Sequence, residues 1–291
     1  MNLPSPITPF LFRGNYFLIK RDDLIDEDFS GNKARKFFYF FNYLKNNHSI
    51  KEIISYGSNQ SNAMYSMSVL AKMFNVKLRY YVNHIPNYLK QNPVGNYKYT
   101  LLNGAEIIEN PEIVKILKME DYKNKIKIES STIFIKEGGA VKEAEFGIKM
   151  LADELKNYSD YSIFLPSGTG VTSLYLQKHF KGKVFTCSCV ADDNYLLRQW
   201  RELENSNFPI ILPKRKKFHF GKLYRENYQI WSELKEAGIE FDLLYDPIGW
   251  QTLLDNLDRF ENKKIIYIHQ GGLKGNQSML ERYIRKFKLS I

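Results

Sequence analysis

Three short apolar runs in this chain each stop at a small, polar, glycine-containing segment. Ile53-Ile54-Ser55-Tyr56 meets Gly57-Ser58-Asn59-Gln60-Ser61-Asn62. Ser162-Ile163-Phe164-Leu165 meets Pro166-Ser167-Gly168-Thr169-Gly170-Val171-Thr172, and Ile265-Ile266-Tyr267-Ile268 meets His269-Gln270-Gly271-Gly272. Each is followed by a helical pattern. After the first, Ala63, Met64, Met67, Leu70, Ala71 and Phe74 recur at three-to-four spacing. Strands alternating with helices call for an α/β fold with a largely parallel sheet. In open sheets of that kind ligands bind outside the C-terminal strand ends. The three polar loops are therefore expected to converge on one crevice.

Further strands are expected at Val76–Val82, Ile133–Ile135 and Val184–Cys189, and helices at Tyr195–Glu204, Asn227–Ala237, Trp250–Phe260 and from about Gln277. The 291 residues hold enough apolar material, 44%, for one large or two medium domains. No run approaches the ~18–20 apolar residues of a membrane helix, and the proline-rich Met1–Phe12 is a poor signal peptide. The reading is a soluble, cytoplasmic protein with no membrane partner. Cys187 and Cys189 share one face of a strand, and no Cys/His ligand set exists, so no metal site is expected. The net charge of +10 is spread along the whole sequence. Its one compact basic run, Lys214-Arg215-Lys216-Lys217, reads as a solvated loop, and no nucleic-acid partner is expected.

The segment Ser30-Gly31-Asn32-Lys33-Ala34-Arg35-Lys36 puts a lysine at a loop-to-helix junction. Backbone N–H groups and the helix dipole there, helped by Lys36 and Arg35, favour a neutral amine. A neutral lysine amine can capture an aldehyde as a Schiff base. A solvated lysine at a helix start is the alternative. The turn Ser167–Thr172 opens a helix with glycines, N–H groups and hydroxyls, and a phosphate monoester fits it; an ordinary capped turn is the other reading. Gln60-Ser61-Asn62 also opens a helix, where N–H groups can take a carboxylate, the Ser61 hydroxyl can donate and the Asn62 amide can bond a phenolate oxygen. Either residue is equally an N-cap. No P-loop and no dinucleotide fingerprint occurs. Taken together, the pieces match pyridoxal 5′-phosphate with an amino acid, the cofactor being an electron sink.

At these residues the chain resembles the fold-type II pyridoxal-phosphate enzymes of the 1-aminocyclopropane-1-carboxylate deaminase / D-cysteine desulfhydrase family. The matching segments are Lys20-Arg21-Asp22-Asp23-Leu24, Gly31–Lys36, Gly57-x-x-Gln60-Ser61-Asn62, Ser167–Thr172 and His269–Gly272. They span the chain, with 83–131 matching loosely. The resemblance implies a two-domain, three-layer parallel-sheet fold like the tryptophan synthase beta subunit. The large domain would be 1–36 plus 151–291, with 37–150 inserted as a small one and the cofactor between them. It implies Lys33 as cofactor lysine, Asn62 on the phenolate, and Gly168, Thr169, Gly170 and Thr172 on the phosphate. Ser61, Gln60 and the N–H of Ala63 would bind the substrate carboxylate, with Ser61 also moving protons. Gln270 is a candidate for the pyridine nitrogen, and a homodimer is implied.

The departures from the family pattern bear on the substrate. Ala63 replaces a larger polar residue. Asp246-Pro247-Ile248 is followed by Gly249 and Trp250 where the family often has a tyrosine, and Phe220 before Gly221 stands for a second one. Both phenols, associated with cyclopropane ring opening, are then missing. The expected reaction is β-elimination of a small D-amino acid such as D-cysteine to pyruvate, ammonia and sulfide. The alternatives are the ring-opening deaminase, which would group the chain with hydrolases, and a cofactor-binding protein without this catalysis.

Overall fold

The computed structural model describes residues 1–119 and 121–289. The chain opens with β1 (Ile7–Phe12) and β2 (Asn15–Arg21), then α1 (Gly31–Asn46). There follow β3 (Glu52–Gly57), α2 (Asn62–Met73), β4 (Lys77–Val82), α3 (Asn87–Gln91), α4 (Gly95–Leu102), β5 (Glu106–Glu109), α5 (Pro111–Leu117) and β6 (Thr132–Ile135). The remainder comprises α6 (Ala144–Glu154), β7 (Ser162–Ser167), α7 (Val171–His179), β8 (Val184–Ser188), α8 (Asp193–Arg201), β9 (Ile210–Ile211), α9 (Arg225–Glu236), α10 (Asp246–Asp255), β10 (Ile265–His269) and α11 (Asn276–Phe287). These elements form two compact units, Met1–Lys36 with Glu145 onward, and Phe37–Ala144.

The first unit is built on a six-stranded sheet in the order β1-β2-β10-β7-β8-β9. Only β1 and β2 run antiparallel, as a hairpin closing on Arg13 and Gly14, both at positive φ. That hairpin is not visible as two strands in the sequence pattern, because β1 alternates exposed and buried residues as an edge strand does. Every residue of β7, β8 and β10 is buried. Parallel strands covered on both faces lose the alternation of edge strands and read as continuous apolar runs. A core of Phe10, Phe17, Phe164, Phe241, Trp250 and Tyr267 packs with them. Because β2, β10 and β7 are parallel neighbours, their C-terminal ends share one edge of the sheet. The segments leaving that edge lead to Lys33, to Gln270 and to the Gly168–Thr172 turn.

The second unit holds a four-stranded, wholly parallel sheet in the order β5-β4-β3-β6. The loop leaving β3 carries Gln60 and Ser61 into α2, whose residues from Ala63 to Ala71 are all buried. Ile54 and Tyr56 of β3 pack with Val114 and Leu117 of α5. The region that matches the family loosely by sequence thus contributes α3, α4, β5 and α5, elements too short to show a clear period.

Candidate active site

Lys33 is the third residue of α1, and the start of that helix is fixed by a glycine pair. Gly31 has φ +65°, and a Cβ on it would lie 2.0 Å from the Gln270 carbonyl oxygen. No side chain fits there. The closeness lets the Asn32 N–H donate to the Gln270 carbonyl at 3.0 Å. The Asn32 side chain donates to Gln270 Oε1 at 2.8 Å, and Gln270 Nε2 donates to the Pro166 carbonyl at 2.6 Å. Gln270 is therefore a strap joining α1 to β7. Both ends of its amide are engaged, which argues against its expected place at a pyridine nitrogen. Buried His269 steadies the same loop: its Nδ1 accepts from the Gly271 N–H at 3.2 Å, and Nε2 contacts the Glu240 carbonyl at 2.8 Å. Burial lowers its pKa, consistent with a neutral ring.

The amine of Lys33 is enclosed although part of the side chain is exposed. Burial pulls its pKa down to about 8, against upward pushes from the Lys36 side chain and the Asp242 charge. Lys36 is itself buried, and burial together with Lys33 pushes it well below the ordinary range. Two enclosed amines one helical turn apart cannot both be charged cheaply. The shift runs in the direction of the neutral-amine expectation, with burial rather than the helix start as its first cause, and the assignment of Arg35 as a helper is corrected. Arg35 points its guanidinium into a buried charge cluster: Nη2 to Asp22 Oδ1 at 2.7 Å and Nη1 to Glu154 Oε1 at 2.6 Å. Lys20 Nζ reaches Glu154 Oε2 at 2.5 Å, and Ser5 Oγ donates to Asp22 at 2.6 Å. The charged motif from Lys20 to Asp22 thus clamps the second turn of α1. It acts on the position of Lys33 through the backbone.

The turn after β7 is preorganised. Gly170 is the left-handed N-cap of α7, and its carbonyl accepts from Trp200 Nε1 at 2.9 Å and Ser173 Oγ at 2.8 Å. Ser167 Oγ lies 2.9 Å from Ser173 Oγ. Thr172, 3% exposed in the first turn of α7, has a buried hydroxyl with no hydrogen-bond partner. An orphaned hydroxyl beside the N–H groups of a helix start is what a phosphate oxygen would satisfy. The residues present fit a phosphate ester.

In the second unit Ser61 caps α2, its Oγ accepting from Ala63 N at 3.1 Å and Met64 N at 3.3 Å. Asn62 Oδ1 accepts from Asn96 Nδ2 at 2.6 Å, which orients its NH2 group as the donor. Gln60 donates to the Val94 carbonyl and accepts from the Tyr97 N–H, so its amide ties the loop to α4. A substrate carboxylate would meet the backbone here rather than the Gln60 side chain.

Trp250 lies inside α10, fully buried and stacked on Tyr267 at 4.4 Å. Gly249 backs onto β7: a Cβ there would stand 2.8 Å from the Tyr267 hydroxyl and 3.1 Å from Pro166 Cβ. A phenol at 249 is excluded by packing. One turn earlier stands Tyr245, whose ring tilts against Phe220 with centroids 5.4 Å apart. Its Cε1 and hydroxyl lie 3.3 and 3.5 Å from where a Cβ on Gly168 would be. The sequence reading missed this phenol; its only signal was a tyrosine directly before Asp246-Pro247. The basic run at 214–217 is largely paired internally: Lys214 with Ser188, Arg215 with Asp255 at 2.6 Å and Lys216 with Glu226. Among the described residues no cluster of His, Cys, Asp and Glu could hold a metal, and no helix is long and apolar enough to cross a membrane.

No family model matches the chain. A curated relative, the bifunctional D-cysteine desulfhydrase/1-aminocyclopropane-1-carboxylate deaminase, mitochondrial, of Arabidopsis thaliana, is 24% identical over 320 aligned residues, covering 94% of this chain and 77% of the relative. A solved ACC deaminase homologue superposes with a TM-score of 0.76 at 20% identity, over 98% of this chain and 94% of that one. A hydrogen sulfide-producing enzyme from Fusobacterium nucleatum gives a TM-score of 0.63 at 14% identity, over 93% and 96%. The fold is that of the fold-type II pyridoxal 5′-phosphate enzymes. Within that class its similarity runs to the 1-aminocyclopropane-1-carboxylate deaminase / D-cysteine desulfhydrase family, as the motifs implied. The hydrolase grouping is not supported: the relative that matches is a desulfhydrase/deaminase.

Proposed function

We propose that the protein is a lyase acting on a small amino acid, by β-elimination from a D-amino acid such as D-cysteine to pyruvate, ammonia and sulfide. The observation that carries this reading is the enclosed amine of Lys33, at about 8, on a helix start locked to the loop after β10. Lys33 would hold the cofactor. The Asn62 amide would bond its phenolate oxygen, and Gly168, Thr169, Gly170 and Thr172 its phosphate. When bound, pyridoxal phosphate supplies an electron sink for charge developing at the substrate α-carbon.

The chain's own groups do the rest. Once freed by a substrate amine, Lys33 would be the base for the α-proton and would need to be neutral. With enclosure bringing its pKa to about 8, that form becomes the major one above about pH 8. The N–H groups at the start of α2 take the substrate carboxylate, and Ser61 Oγ must let go of the Ala63 N–H as it does so. Loss of thiolate from the β-carbon would leave an unsaturated amine, and its hydrolysis by water would give pyruvate and ammonia. The absence of room for a phenol at Gly249 favours elimination over ring opening.

Purified protein incubated with the cofactor and a panel of D- and L-amino acids tests the reading. Pyruvate and sulfide from D-cysteine are the expected products, and Lys33→Ala is expected to abolish them. Release of 2-oxobutanoate from 1-aminocyclopropane-1-carboxylate, with no turnover of D-cysteine, would favour the ring-opening alternative. The homodimer implied by the resemblance and the cytoplasmic location read from the sequence belong to this proposal, with sedimentation and cell fractionation as their tests.

A further inference from the structure

Tyr245 is fixed on both sides of its backbone. Its N–H donates to Asp242 Oδ1 at 2.6 Å, and its carbonyl accepts from the Gly249 N–H at 3.0 Å. The ring is tilted against Phe220, and its Cε1 and hydroxyl stand 3.3 and 3.5 Å from where a Cβ on Gly168 would be. Gly168 is the second residue of the turn that ends at Thr172, whose buried hydroxyl lacks a partner. A phenol held over one end of that turn and an orphaned hydroxyl at the other bracket a row of backbone N–H groups.

We propose that Tyr245 is a phosphate-binding residue of this chain, its hydroxyl donating to a phosphate monoester seated on Gly168–Thr172. The proposal rests on the reading of that turn as the cofactor's phosphate site and adds a ligand that none of the matched motifs contains. A phenol is thus present one helical turn before Gly249, against Gly168. Its task there is anchoring. It does not restore a phenol for ring opening.

Tyr245→Phe keeps the ring against Phe220 and removes only the hydroxyl. The test compares binding of pyridoxal phosphate and of unphosphorylated pyridoxal to wild type and variant, followed by absorbance titration. Loss of a hydrogen bond to a charged group predicts a Kd for pyridoxal phosphate raised about 10- to 100-fold, with pyridoxal binding unchanged. Equal binding of pyridoxal phosphate to both proteins overturns the proposal, as does an equal loss for both ligands. Failure of the wild type to bind either ligand would instead overturn the reading of the site as a whole.

Discussion

A lysine amine captures an aldehyde only while it is uncharged, and enclosure brings Lys33 closer to that state than a solvated lysine. With its pKa near 8, the neutral fraction grows as pH rises through that value. The rate of pyridoxal capture by the cofactor-free protein is accordingly expected to climb between pH 7 and 9 and then level off. A climb centred near the ordinary lysine value of 10.5 would mean the amine is solvated. At Gly249 the expectation is steric. Gly249→Tyr, which restores the family's residue type, drives a side chain into Tyr267 and Pro166 and should cost about 1–3 kcal/mol or more. A denaturant melt checks the loss, and ring opening should not appear. Lys33 and the Thr172 turn could be read from sequence because their chemistry is local: a few consecutive residues at a strand-to-helix junction. Tyr245 and Gln270 could not. Gln270 is fixed by Asn32, 238 positions away, and Tyr245 acquires meaning only where it lies over Gly168.

At the scale of elements, α1 is held by two devices, the glycine contact at its start and the charge cluster one turn on. Gly31→Ala combines a left-handed backbone with a collision against the Gln270 backbone. The strained backbone alone costs about 1–3 kcal/mol, so a lower melting temperature and weakened cofactor capture are expected together. Asp22→Ala leaves Arg35 and Lys20 sharing Glu154 alone, with one buried positive charge uncompensated, a loss of about 3–5 kcal/mol for a broken buried pair. The pH dependence follows from Glu154. Burial raises its pKa, but Arg35 and Lys20 outweigh burial, and the folded value falls below the ordinary 4.5. Its contribution is complete above about pH 4.5 and is lost as pH falls through the lower folded value. Wild type should therefore lose stability on acidification below pH 4.5 more steeply than Glu154→Gln, measured by urea melts across pH 3–6. The parallel strands were legible because β7, β8 and β10 are uninterrupted apolar runs. The β1–β2 hairpin was not, since half of β1 faces outward.

Across the whole molecule, one helix belongs to both units: residues 31–36 of α1 lie in the first and 37–46 in the second. The division falls between Lys36 and Phe37, at the start of the apolar run Phe37–Phe41. The segments after β2, β10 and β7 leave one edge of the first sheet, where topology rather than sequence separation brings them together, whereas the loop after β3 leaves the separate sheet of the second unit. The substrate is written less plainly, since it depends on which side chains are excluded, as at Gly249. All of this depends on one amine capturing the cofactor. Borohydride reduction of protein incubated with pyridoxal phosphate, followed by peptide mass mapping, tests that directly. The predicted result is a single pyridoxyl phosphate group on Lys33; a label on Lys36 or on surface lysines, with Lys33 unmodified, would contradict it.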